Sequence, residues 1–399
     1  MRIPFLMLTI VLLLNVAVDR YIWKFLRSRF RSTVPSAVHL IISGILYIFL
    51  AIALCIPRRD GTDGQLLTVM WMLFGYFSVY IPKYLFVIFG LLSRIPCLFR
   101  RRPLKWMSRC GAVAGVVLFL TMWWGALINR YNVQVVEETV WIPELPEAFD
   151  GYRILQFSDA HVGTYGSDTT YISKVVDRIN DIDADLVAFT GDIVNRRSEE
   201  LMPHVRPLSR IKGCDGVVSI LGNHDYGDYS DWPSDEAKME NRRLLHSLQR
   251  QMGWHLMLND HIYLVRGRDS IAVIGVENVG DPPFTVYGDL KKSYPTLGDS
   301  LTKVLLSHNP AHWVDDIKDN DSLNIPLTLS GHTHAMQIEV LGISPAWFRY
   351  RTWGGMYSDK DASHRLYVNI GLGTVGIPMR LGATPELTVL TLRRGSSPE

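Results

Sequence analysis

The chain has 399 residues, enough for more than one folding unit with its own core. A formal net charge of +2 gives no general basic surface, so a nucleic acid is not an expected partner. Of the four cysteines, Cys55, Cys97, Cys110 and Cys214, only the last lies beyond residue 130, which excludes an intradomain disulfide there.

Composition divides the chain into 1–130, dominated by long apolar stretches, and 131–399, where short apolar runs alternate with polar and glycine-rich turns. Four membrane spans are predicted, over 3–18, 38–56, 66–92 and 111–128. A bilayer-crossing helix needs about 20 mainly apolar residues, because its backbone must satisfy itself in hydrocarbon. The first stretch is short, and a cleaved signal peptide competes with a span there. Against cleavage, it runs directly into Asp19 to Lys24 without a small-x-small site, and three more spans follow. Lys83, beside Pro82 in the third stretch, is expected to snorkel or to face a partner helix.

Charge gives an orientation. Arg20, Lys24, Arg27, Arg29 and Arg31 follow the first span, and Arg94, Arg100, Arg101, Arg102, Lys105 and Arg109 follow the third. Between them, Arg58 and Arg59 are offset by Asp60 and Asp63. The positive-inside tendency puts the two basic loops in the cytoplasm and the C-terminal domain outside. The expected protein is multi-pass, in the bacterial inner membrane, with an extracytoplasmic domain.

In that domain, apolar runs repeatedly end in metal-binding residue types. A strand over 152–157 leads to Asp159-Ala-His161; a helix over 170–182 and a strand over 185–190 lead to Gly191-Asp192. This strand, helix, strand order predicts a parallel pair with its acids at the carboxyl ends, where open α/β sheets place their chemistry. A strand over 216–221 ends in Gly222-Asn223-His224-Asp225, 304–306 in Ser307-His308, and 327–330 in Gly331-His332-Thr333-His334. A single Asp-x-His or strand-end histidine is ordinarily a hydrogen-bonded turn residue, but repetition of the same grammar points to one metal site.

These five ordered motifs resemble those of the calcineurin-like metallophosphoesterases, and residues 150–396 are similar to that family's domain, in its membrane-associated branch. The resemblance implies a four-layer α-β-β-α sandwich after the helical region. It also implies one divalent cation held by Asp159, His161, Asp192 and His334, and another by Asp192, Asn223, His308 and His332, with Asp192 shared. Phosphate esters resist attack because their oxygens are negative, and two cations can offset that charge while activating water. Mixed nitrogen and oxygen donors suit manganese, iron or zinc. By resemblance His224 contacts the phosphate and protonates the departing alkoxide. The family's usual aspartate partner to that histidine is replaced here by Asn195, a neutral support; Arg196 matches a phosphate-binding arginine of some members, or is a solvated surface residue.

Two inserts are expected to form the mouth. In one, 225–254, a helix over 234–251 would lid the metals. The other, 343–364, carries Trp347, Phe348, Tyr350, Trp353 and Tyr357 among Arg349 and Arg351, a mixture suited either to a bilayer interface or to a loop folded on the core. The later run from Gly371 to Arg380 is expected to approach the site through its glycines, and it is this run that resembles one in the family's membrane-associated branch. The leading expectation is a membrane-anchored phosphoesterase acting on a lipid-linked or envelope phosphate ester. The alternatives are a pyrophosphate hydrolase acting on UDP-2,3-diacylglucosamine, which needs a cytoplasmic site, and a non-catalytic metal-stabilised regulator.

Overall fold

The computed structural model describes residues 5–280, 285–295 and 301–396. The chain folds as two compact units, Met1–Ala126 and Leu127–Glu399.

The helices α1 (Phe5–Arg29), α2 (Val34–Cys55), α3 (Asp63–Leu92) and α4 (Lys105–Leu127) open the chain. All four are long and apolar enough to cross a membrane, which makes this an integral membrane protein. The last three match the expected spans, and α1 corrects the first. It continues to Arg29, so Asp19 to Lys24 are helical and not a loop; residues 3 and 4 lie outside the described residues.

The extension is explained by Asp19, which finds partners inside the bundle. Its Oδ1 lies 3.0 Å from Lys83 Nζ and accepts from Ser43 at 3.0 Å, while Oδ2 accepts from Tyr47 at 3.0 Å and from Tyr80 at 2.8 Å. A charge in hydrocarbon persists only when paired and hydrogen-bonded, so α1, α2 and α3 are tied together by this cluster. Lys83 therefore faces a partner helix.

The second unit is built on two six-stranded sheets. One contains β1 (Gln134–Ile142), β2 (Arg153–Phe157), β3 (Leu186–Phe189), β4 (Val217–Ser219), β5 (His255–Leu256) and β12 (Glu386–Arg394), in the order β1-β12-β2-β3-β4-β5. The other contains β6 (Asp260–Arg266), β7 (Asp269–Gly275), β8 (Lys303–Leu306), β9 (Leu327–Ser330), β10 (Gly355–Ser358) and β11 (Arg365–Val368), in the order β10-β11-β9-β8-β7-β6.

Strand alternation assigns each side chain to a layer. Ile154, Leu186 and Val218 point inward, with Val273, Val304, Leu306 and Leu329 of the second sheet, to form the central core. Leu155 and Val187 point outward against Ile172, Val175, Val176 and Ile179 of helix Thr170–Ile182, a spacing that keeps one helical face on the sheet. Leu245 and Leu248 of helix Asp235–Gln251 join the same outer layer. On the far side Trp313, Ile317 and Leu290 cover Ile274, Leu305 and Leu366. The result is the four-layer α-β-β-α sandwich. Strands β2 to β5 run parallel, as do β7, β8, β9 and β11, so their carboxyl ends can gather side chains at one place.

Candidate metal centre

Each expected site residue follows a central strand. Asp159 and His161 come after β2, Asp192 after β3, Asn223 and His224 after β4, His308 after β8, and His332 and His334 after β9. Asp159, His161, Asp192, His332 and His334 have φ of 51, 41, 60, 74 and 51°. The left-handed region costs roughly 1–2 kcal/mol per non-glycine residue. Such a concentration survives only where surrounding bonds over-determine the backbone.

Those bonds are present. The carboxylate of Asp225 accepts from the backbone N–H groups of Asp192 (2.8 Å), Ile193 (3.0 Å), Val194 (3.3 Å) and Gly222 (2.9 Å), which clamps the β3 loop to the β4 loop. Asp159 N donates to Gly191 O at 2.9 Å, and Gly331 N donates to His308 O at 2.9 Å. Gly331 is required by close approach, since a Cβ there would strike Ser158 Oγ and Asp159 Oδ2. Gly371 combines φ of +79° with a would-be Cβ only 2.6 Å from Asp159 Cβ, which brings the run to Arg380 against the first motif as expected.

The side chains converge. His334 Nε2 lies 3.2 Å from Asp159 Oδ1 and 3.1 Å from His161 Nε2, and His161 Nε2 is 3.7 Å from Asp192 Oδ2. His308 Nε2 is 3.2 Å from the same Asp192 oxygen, and His332 Nδ1 is 2.8 Å from Asn223 Oδ1. Among the described residues, three groups have donor atoms within 4.8 Å of one another: Asp159, His161 and His334; His161, Asp192 and His224; Asp192, His308 and His332. Asp192 joins two of them. This donor set fits divalent cations: the buried Nε2 of His308 faces Asp192 Oδ2 at 3.2 Å without a well-aligned hydrogen bond, so without a cation it is paired by charge alone and remains a donor that a cation would satisfy.

Neighbouring bonds fix the donors. His308 Nδ1 donates to Thr190 O at 2.7 Å, which leaves Nε2 for the centre. Asn223 Nδ2 donates to Tyr229 OH at 2.8 Å, so its amide oxygen is the end turned toward His332. His332 Nε2 is 2.9 Å from Tyr350 OH, in the second insert.

Electrostatics agree with a cluster built for cations. Burial raises the Asp159 carboxyl, but the charge of His334 and its hydrogen bond hold it well below the usual range. Burial likewise opposes ionisation of Asp192, and His308 and His224 overcome it. Burial lowers His308, yet Asp192 brings it up to about 9. Burial and then the charge of His308 push His332 down to about 4. Protons therefore occupy part of the role that cations would take.

His224 sits beside this cluster. Its Nδ1 donates to the backbone carbonyl of Asn195 at 2.6 Å, and its ring stacks on Tyr229 with centroids 4.1 Å apart and planes 9° from parallel. The Asn195 side chain turns away and donates to Thr164 Oγ1 at 3.2 Å. Support for His224 thus comes from main chain.

Two expectations need correction. Arg196 is not solvated: it is buried, with NH1 3.4 Å from Ser230 Oγ and Nε 3.9 Å from Glu200 Oε1. Helix Asp235–Gln251 does not lid the metals but packs on the outer face of the first sheet, leaving Tyr229 in the turn before it to reach the site. In the 343–364 insert Tyr350 folds back onto His332, whereas Phe348 stays exposed. Sequence reasoning put Tyr350 in an insert at the mouth but not against His332, and it gave no role to Tyr229 or to the clamp of Asp225. Asp225 had a local signal, its place inside the third motif.

Comparison with known proteins places these motifs in a family. Residues 1–130 match the family model described as "Probable Calcineurin-like phosphoesterase, transmembrane domain", and residues 152–336 match "Calcineurin-like phosphoesterase". Among relatives, the uncharacterized metallophosphoesterase YkuE of Bacillus subtilis is 31% identical over 74% of this chain and 97% of its own length. The transmembrane protein with metallophosphoesterase domain of Danio rerio is 27% identical over 98% of this chain and 90% of its own length. The phosphopantetheinyl hydrolase of Mycobacterium tuberculosis aligns over 58% of this chain and 91% of that one, at 12% identity and a TM-score of 0.34, which adds nothing to the assignment. With its motifs, fold and relatives in agreement, the chain belongs to the calcineurin-like metallophosphoesterase family, in a branch with four N-terminal membrane helices, and membership implies a metal-dependent phosphoric ester hydrolase.

Proposed function

We propose that this protein, through its domain 131–399, hydrolyses a phosphate ester of a lipid-linked or envelope substrate at a site facing away from the cytoplasm. The observation that carries the hydrolytic part is the convergence of Asp159, His161, Asp192, Asn223, His308, His332 and His334 beside His224. Asp159, His161, Asp192 and His334 would hold one divalent cation, and Asp192, Asn223, His308 and His332 the other, with manganese, iron or zinc suited to these donors. The cations supply Lewis acidity, offsetting phosphate charge and making water a better nucleophile.

The chain's own residues complete the chemistry. The Asn195 carbonyl keeps a proton on His224 Nδ1, so the doubly protonated imidazolium carries its second proton on Nε2, can pass that proton to the leaving oxygen as charge develops there, and is left as the neutral Nδ1–H tautomer. Tyr229 stacks on the ring and limits its rotation. The lipid-linked part is supported by four membrane helices on the same chain, and the orientation by the basic clusters at 20–31 and 94–109.

The test is hydrolysis by full-length protein in vesicles, loaded in turn with manganese, iron and zinc. Substrates are p-nitrophenyl phosphate, its bis-ester and a lipid phosphate. Activity on the lipid phosphate above the soluble esters, abolished by Asp192→Asn, is expected; no activity on any of them removes the catalytic reading. Protease cleavage of the C-terminal domain in inverted vesicles alone removes the orientation.

A further inference from the structure

The segment between His334 and Tyr350 exposes more apolar surface than the fold can use. Val340 and Ile343 exchange backbone hydrogen bonds of 2.9 and 3.1 Å around a two-residue turn, Leu341-Gly342. Both turn residues have positive φ, 53° and 76°. Glycine adopts this freely, whereas leucine at such a position carries a backbone cost. Leu341 gains nothing inside the protein in return, for it is 97% exposed, and Ile343 and Phe348 are 71% and 86% exposed. Trp347 is exposed beside them, with the Arg351 guanidinium 3.5 Å from its ring centroid, and Arg349 also faces solvent. A contiguous apolar tip rimmed by arginines marks an interaction surface.

The base of the hairpin is tied to the start of the same unit. Chain leaves the last membrane helix at Leu127, and two residues later Asn129 Nδ2 donates to Arg380 O at 3.1 Å. The adjoining Leu381 bridges to Ile338, accepting from Glu339 N and donating to Gln337 O, both at 2.8 Å. The base of the hairpin is therefore joined by hydrogen bonds, through Leu381 and Arg380, to Asn129, which closely follows the last membrane helix in the chain.

We propose that the hairpin at Leu341-Gly342, with Ile343 and Phe348, inserts into the bilayer that holds the chain's own helices. Leucine, isoleucine and phenylalanine enter the acyl boundary, while Trp347, Arg349 and Arg351 occupy headgroup depth. Ser344 Oγ donates to Ala335 O at 2.5 Å next to His334, and Tyr350 OH meets His332 at 2.9 Å, so the inserted segment is fastened to the metal centre at both ends. This contact sets the depth of the site. It rests on the membrane helices and not on the choice of substrate.

The experiment uses full-length protein with its four cysteines changed to serine, a nitroxide on Leu341→Cys, and vesicles of phosphatidylcholine and phosphatidylglycerol. A second sample carries the label at Phe348→Cys, and a reference sample at Val265→Cys, an exposed position on the edge strand β6. Neither hairpin residue supports the fold, so both variants retain structure. Power saturation against oxygen and an aqueous nickel chelate should give both hairpin labels high oxygen and low nickel access relative to Val265. Nickel access equal to that at Val265 overturns the proposal. Exclusion of both reagents also overturns it, because that result places a second copy of the chain over the hairpin. No hydrolysis is read, so failure here is separate from failure of the proposed activity.

Discussion

His224 is held by Asn195 through the main chain, Nδ1 to carbonyl oxygen at 2.6 Å, although the sequence position invites attention to the side chain. Any residue at 195 with the same backbone path keeps that acceptor. Asn195→Ala should therefore change kcat by no more than a few-fold. His224→Gln should lower kcat by about 10²–10⁴, the range associated with a general acid. Metal content by elemental analysis should remain at the parent level in both, because His224 is placed as the proton donor rather than as a ligand. Equal large losses in the two variants would show that the Asn195 amide itself takes part.

Metal binding should displace protons. Without cations, Asp192 keeps His308 protonated up to about 9, and His308 must give up that proton to offer Nε2. The folded, metal-free site binds a proton that the loaded site does not, so affinity should rise with pH, by at most about tenfold per unit, and level off near 9. Calorimetric titration with manganese in two buffers of different ionisation enthalpy counts the protons released. A count of zero at pH 7 contradicts this account.

The Asp19–Lys83 pair should behave as a buried pair in the helical unit. Removing one partner leaves the other uncompensated, at a cost of about 3–5 kcal/mol by analogy with buried pairs elsewhere. Lys83→Met and Asp19→Asn should each lower thermal stability in detergent, and the double variant should recover much of the loss. Additive losses in the double variant would show that the residues act independently.

His246 provides an acid-sensitive element away from the metals. Burial, then Arg242 and Arg250, push it down to about 4 from an ordinary value of 6.5. Between those values the unfolded chain binds more protons, so the stability contribution is complete above 6.5 and lost as pH falls toward 4. The ring is partly solvated, which reduces the effect to the order of 1 kcal/mol. Chemical denaturation at pH 7 and at pH 5 should show a smaller acid loss for His246→Gln than for the parent, with metal chelated in both.

Much of the fold was legible locally. The runs before Asp159, Asp192, Asn223, His308 and His332 are strands because each is short, apolar and ended by a turn, and helix Thr170–Ile182 shows its buried face as a 3.6-residue period. The membrane spans were legible for the same reason, except at Asp19. An acid after 15 or so apolar residues reads as the end of a span, and only distant partners such as Lys83, 64 positions away, show that it is interior. The pairing of β1 with β12 was not legible, since it joins Gln134 to Glu386 and leaves no local pattern.

Sequence by itself determined the ligand types, their order and the membrane anchor, because these depend on residue identity and on spacing along a strand or helix. Tertiary structure decided which atom of each ligand is available. It turned Asn223 by Tyr229, fixed His308 by Thr190 and His224 by the Asn195 carbonyl, and set Tyr350 against His332. Those relations join distant segments, and a hydrogen bond across a fold depends on where loops meet, not on what stands beside a residue in the chain. For the same reason only the structure could show that the base of the Leu341 hairpin is joined through Leu381 and Arg380 to Asn129, far earlier in the chain.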